Sequence, residues 1–222
     1  MKKIRRFIYR ILSFDKVSPV SRTFGFDRGK PVDRYYIEKF ISSNKNFIYG
    51  DVLEVETSTY TKKFGNTSVK SFILKFDKTS KFESNLVYGD LTNKISIPSN
   101  KFDVFICTQT LNFIFEVEAA IESIFSLLKK NGVGLITVAS LTQISRYDAD
   151  RWGDFWRFTP QGIQKLFSDK FGEDCVELMV YGNSYSAIHL LKGFASDELS
   201  TKKLNEIDED YPIVIALKIT KK

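Results

Sequence analysis

From Gly50 onward, short and almost wholly apolar runs alternate with segments of helical periodicity, and this alternation restricts the chain more than any other feature. The runs are Val52–Val55, Ser71–Phe76, Leu86–Tyr88, Phe102–Cys107 and Val133–Val138, with two later ones at Val176–Tyr181 and Ile213–Ile219. Strands that are apolar at successive positions are those buried on both faces, as in a parallel sheet sandwiched by helices. Helical patterns from Phe113 to Lys129, from Pro160 to Phe171 and around Ser186–Phe194 separate them. Strand, helix, strand in succession specifies a doubly wound α/β sheet.

Upstream, Asp33 is placed to cap a helix through Ser43 whose apolar face is Tyr36, Ile37, Phe40 and Ile41. Residues 18–31 read as irregular chain, broken by Gly25, Gly29 and two prolines. No repeat, low-complexity tract or linker divides the remainder of the chain. The division read from the sequence is therefore an arm over 1–32 and one domain over 33–222.

Residues 2–14 put Ile4, Phe7, Ile8, Ile11 and Leu12 on one helical face and Lys2, Lys3, Arg5, Arg6 and Arg10 on the other. Such a helix fits an anionic membrane interface, or packs on the protein itself or on a second subunit. The formal net charge is +6, but no nucleic-acid-binding module accompanies it, so nucleic acid is not the expected partner. No stretch approaches the roughly 20 apolar residues that span a bilayer, and no cleavage site follows the basic start. Two cysteines and one histidine cannot supply a metal cluster or a disulfide scaffold, which points to a reducing, cytoplasmic setting.

In an open α/β sheet, ligands bind beyond the carboxyl ends of the strands. Acids stand at three of these ends: Glu54, Asp77 and Asp90. An acid after the second strand suits a ribose diol, and one after the third suits an adenine amino group. Each taken alone is equally a turn or cap residue. After the fifth strand, residues 146–157 are acidic and aromatic. Asp148 and Asp150 are candidate bases, and Tyr147 and Trp152 are candidate stacking partners for a sugar ring or other flat acceptor. His189, in an apolar helical run, reads as structural.

Four stretches carry a family resemblance: Ser21-Arg22-Thr23-Phe24-Gly25-Phe26-Asp27-Arg28-Gly29, Val52-Leu53-Glu54-Val55, Lys129-Lys130-Asn131-Gly132-Val133-Gly134, and Trp152-Gly153-Asp154-Phe155-Trp156-Arg157-Phe158-Thr159-Pro160. Together they resemble the class I S-adenosylmethionine-dependent methyltransferases, in particular the type 11 group of bacterial methyltransferase-domain proteins. The resemblance implies a Rossmann-like sheet of seven strands with the last antiparallel, and S-adenosyl-L-methionine as cofactor. It implies that the loop Glu54–Ser58, with Glu56 and Ser58, lies beneath the methionine part. Asp77 then holds the ribose, Asp90 and Leu91 flank the adenine, and Thr108 and Gln109 border the methyl donor. Because such proteins are often tied to glycan assembly, the acceptor it suggests is a sugar, a glycan or another small molecule.

One departure stands out. The family's first turn carries glycines where this chain has Glu56 and Ser58. Side chains there threaten to crowd the cofactor, and Glu56 threatens to repel its carboxylate. A methyltransferase fold that has lost catalysis and serves as a scaffold is the alternative this raises. A nicotinamide-dependent oxidoreductase is disfavoured because no G-x-G-x-x-G follows the first strand.

Overall fold

The computed structural model describes residues 15–76 and 84–222. The basic amphipathic stretch 2–14 and the candidate ribose ligand Asp77 lie outside the described residues.

Seven strands form one sheet: β1 (Asp51–Val55), β2 (Lys70–Lys75), β3 (Leu86–Tyr88), β4 (Phe102–Thr108), β5 (Leu128–Ala139), β6 (Val176–Tyr181) and β7 (Val214–Thr220). Their order is β3-β2-β1-β4-β5-β7-β6. Strands β1 to β5 pair in parallel, and β7 runs antiparallel to both β5 and β6. The helices are α1 (Val32–Ser43), α2 (Thr59–Phe64), α3 (Val117–Leu127), α4 (Arg146–Ala149), α5 (Pro160–Phe171), α6 (Ser184–Lys192) and α7 (Thr201–Asn205).

Alternation along each strand splits the core in two. Leu53, Phe105 and Ile136 face a cluster with Ile121 and Ile124 of α3 and Phe167 of α5. Val52, Val104 and Leu135 face the other cluster, with Tyr36, Ile37 and Phe40 of α1, Ala187 of α6 and Leu204 of α7. Helices on both faces explain why the early strands are apolar without a break. This is the doubly wound sheet of seven strands with an antiparallel end.

Local chemistry sets most element ends. Thr159 caps α5, its hydroxyl accepting from the Gly162 amide, with Pro160 as the first helical residue, and Gly172 at φ 92° stops it. Asn183 and Ser186 form a reciprocal cap on α6, and Gly193 in the left-handed region ends it. Four expectations differ from the structure. Strand β5 starts at Leu128 rather than at Val133. The residue preceding α1 is Pro31, and Asp33 lies in the first turn, bonded to the neighbouring Arg34 amide. The helix expected from Phe113 begins at Val117, because residues 113–116 are spent on the wall of a cavity. It also ends at Leu127, before Lys129, where Leu128 enters β5 opposite Phe102. The helix expected around Ser186–Phe194 runs from Ser184 to Lys192.

The arm from Val20 to Pro31 is fastened to the chain after α6. Arg28 makes two bonds to Glu198, 3.0 and 2.6 Å, the Lys30 amide donates to Asp197, and Pro31 bridges to Ala195. Gly25 and Gly193 permit the close approach: a Cβ on Gly193 would lie 2.2 Å from the Ser21 carbonyl oxygen. No helix among the described residues is long and apolar enough to cross a membrane.

Candidate active site

A cavity of about 1320 Å³ opens over the carboxyl ends of β1 to β5. Its floor is Val55 and Glu56 after β1, Leu74 and Phe76 at β2, Asp90 and Leu91 after β3, Thr108 and Gln109 at β4, and Ala139 closing β5. The arm and the start of α1 form one wall, through Phe24, Lys30, Asp33 and Arg34. Residues 142–157 form the facing wall, through Tyr147, Asp148, Trp152 and Phe155.

The loop after β1 is organised from within. The buried carboxylate of Glu54 accepts from the Tyr60 and Thr61 amides at 3.0 and 2.8 Å and from the Thr61 hydroxyl at 2.7 Å. It thus binds the first turn of α2 and does not line the cavity, which corrects its placement among cofactor contacts. Ser58 is likewise buried outside the cavity, as the residue that precedes α2. Glu56 does line the cavity, with φ 64°, a conformation natural to glycine. The backbone therefore keeps a glycine-like path although the side chain is present. That side chain turns to Lys75, 2.8 Å away, and stays exposed. The crevice is open rather than plugged.

Arg34 reaches over this loop and donates to the Tyr60 hydroxyl at 3.1 Å. Burial opposes its charge, but the Tyr60 hydroxyl, Asp33 and Asp148 outweigh that and hold its pKa above the ordinary value. Burial also lifts the Asp33 carboxyl above the usual carboxylate range, against the pull of Arg34. Asp33, Arg34, Tyr60 and Asp148 thus meet from three segments of the chain. Sequence reasoning does not single out Asp33 and Arg34 as site residues, because a short acidic-basic pair opening a helix has no distinguishing spacing.

After β3, Asp90 accepts from the Thr92 amide at 2.8 Å, and Leu91 is buried at the cavity floor. At β4, Gln109 has φ 52° and presents a buried side-chain nitrogen with no hydrogen-bond partner. An orphaned donor on a cavity wall is a group that a ligand acceptor would satisfy. On the facing wall, Asp148 accepts from the Ser145 hydroxyl at 2.5 Å. Asp150 is exposed, sits 3.7 Å from Arg146 and does not line the cavity, so the structure does not bring it to the site. Tyr147 and Trp152 both line it, their rings 6.4 Å apart and nearly perpendicular. Asp154 and Arg157 pair and tie the wall to the Gln143 carbonyl.

A seven-stranded sheet of this order, with a cofactor-sized crevice over its parallel strands, defines the class I methyltransferase architecture. Residues 43–136 match the methyltransferase-domain family. Among solved structures it is similar to a methyltransferase from Archaeoglobus fulgidus, at TM-score 0.54 and 14% identity over 85% of this chain and 94% of that one. The N-methyltransferase NodS from Bradyrhizobium japonicum, solved with S-adenosyl-L-homocysteine, matches at 0.53 and 10%, over 97% and 98%. A putative sarcosine dimethylglycine methyltransferase from Galdieria sulphuraria matches at 0.54 and 12%, over 98% and 97%. No curated protein matches the sequence significantly.

Proposed function

We propose that this protein transfers the methyl group of S-adenosyl-L-methionine to a hydroxyl of a sugar, a glycan or a similar small acceptor. The observation that carries this reading is the open cavity over the parallel strand ends, with Glu56 drawn aside by Lys75. An open crevice is what cofactor binding requires, and it favours this reading over the scaffold alternative.

The residues present fit the cofactor. Arg34, beside Tyr60, offers a cation for the methionine carboxylate. Asp90 and Leu91 suit the adenine, and the unpartnered Gln109 amide is a donor for the cofactor or the acceptor. When bound, the cofactor supplies a methyl group on a cationic sulfur, a good leaving group. The protein's own share is alignment, which accounts for several kcal/mol of barrier in reactions of this kind. Asp148, and Asp33 with its raised basicity, stand on the cavity wall to take the proton from an acceptor hydroxyl, a contribution of roughly 10²–10⁴-fold. Tyr147 and Trp152 offer ring faces for the acceptor. In this reading residues 2–14 hold the enzyme at the inner face of an anionic membrane. Unchanged partitioning onto anionic liposomes after their deletion would remove that element.

Isothermal titration with S-adenosylhomocysteine tests the central claim. Micromolar binding supports it, and absence of heat returns the scaffold reading. A melting-temperature shift with the same ligand, and none with NAD, separates it from an oxidoreductase.

A further inference from the structure

Three aromatic rings stand together where the acceptor wall reaches solvent. Phe115 and Phe155 meet edge to face at 5.5 Å, and Phe115 and Trp156 stack at 5.7 Å. The Trp156 indole nitrogen donates to the Phe115 carbonyl at 3.2 Å, and the Phe155 and Trp156 amides both donate to the Asn112 carbonyl. The rings are therefore fixed in place while remaining 58%, 48% and 38% exposed. Fixed, contiguous apolar surface of this kind marks a binding site rather than the scattered exposure of ordinary surfaces.

Two observations say what covers it. First, Phe115 and Phe155 also line the cavity, whereas Trp156 lies beyond it, so the ridge carries the active-site wall outward. Second, the arginines of residues 146–157 are engaged locally: Arg146 with Asp150, Arg151 over the Tyr147 ring at 3.7 Å, and Arg157 with Asp154. The surface beside the rings is thus apolar, with the neighbouring guanidinium groups drawn toward their own segment. The geometry points to an amphiphilic acceptor, whose polar, methyl-accepting end enters the cavity and whose alkyl or prenyl carrier lies along Phe115, Phe155 and Trp156. This deepens the methyltransferase reading and rests on it for the word acceptor. The ridge as an apolar subsite stands on its own contacts.

The chain has two tryptophans, Trp152 and Trp156, and both are at this mouth, so indole emission reports its occupancy. The full-length protein, with S-adenosylhomocysteine present, is titrated with monomeric n-octyl β-D-glucoside and separately with methyl β-D-glucoside. The octyl compound should give a saturable blue shift and bind at least about tenfold tighter, as burial of a few methylenes requires. Phe155→Ser should abolish that preference. So should Gly153→Ala, which keeps the ring but displaces it, because a Cβ there would lie 2.2 Å from Phe155 Cζ. Equal affinities for the two glucosides, or a preference surviving both variants, overturns the inference. A blue shift with phosphatidylcholine vesicles but not with the monomer overturns it in favour of a bilayer-docking surface. If the protein binds the octyl compound but not S-adenosylhomocysteine, the subsite holds and the methyltransferase reading falls.

Discussion

The ammonium of Lys75 lies 2.8 Å from the carboxylate of Glu56 and draws that side chain to one side. Glu56 thus keeps a backbone conformation natural to glycine while its carboxylate is paired. Glu56→Gly should tighten S-adenosylhomocysteine binding about fivefold, the equivalent of roughly 1 kcal/mol for removal of one nearby like charge. Stability should change by less than about 1 kcal/mol, since relief of the positive φ is offset by the greater freedom of the unfolded chain. Lys75→Met, which frees the carboxylate, should weaken binding by a similar factor in the same titration.

Arg34, half-buried beside Tyr60, is the cation that the proposed reading assigns to the methionine carboxylate. Arg34→Met should weaken S-adenosylhomocysteine binding about tenfold to a hundredfold, the loss of a charged hydrogen bond. Arg34→Lys should recover part of it. Unchanged affinity by calorimetry would show that the amino-acid end of the cofactor lies elsewhere.

The arm depends on one glycine beyond α6. Gly193 has φ 78°, and a side chain there meets the Ser21 carbonyl oxygen. Gly193→Ala should cost about 2 kcal/mol and lower the melting temperature by about 5 °C. Differential scanning calorimetry gives the value directly. A loss of arm packing should also appear as faster amide exchange over residues 20–31.

At the opposite end of the sheet, Lys129 joins Asp103 at 2.8 Å and Asp51 at 3.1 Å. Burial pushes the Asp103 carboxyl up, but Lys129 and the Asp51 amide outweigh it, and the net pKa is lowered. A depressed carboxyl in the folded state contributes stability above its unfolded value near 3.9, lost as pH falls through the lower folded value. Lys129→Met should therefore lower the melting temperature by roughly 1–3 °C at pH 7, a discount suited to a partly exposed pair. As pH falls through the lowered Asp103 value, the difference between variant and wild type should shrink and then vanish.

Much of the frame is legible in the residues. Strands β3 and β6 and helix α5 occupy the spans their apolar patterns and caps indicate, because Thr159, Pro160 and Gly172 act locally. The start of α3 is not legible, because Ile114 and Phe115 are apolar at helical spacing yet serve the cavity wall. Glu54 shows the limit at the site. Its position at a strand end is visible in sequence, but the direction of its carboxylate depends on where α2 presents its amides. Arg34, Phe115 and Phe155 acquire their places only when three distant segments converge, and no spacing records that.

The placement of β7 between β5 and β6 has a consequence for synthesis on the ribosome. Among the described residues strand β6 pairs with β7 alone, and β7 follows it in the chain, so β6 emerges before its partner. Until Val214–Thr220 leaves the exit tunnel, the β5 edge stays bare, and the nascent molecule carries an open sheet margin that a chaperone or a neighbouring chain can occupy.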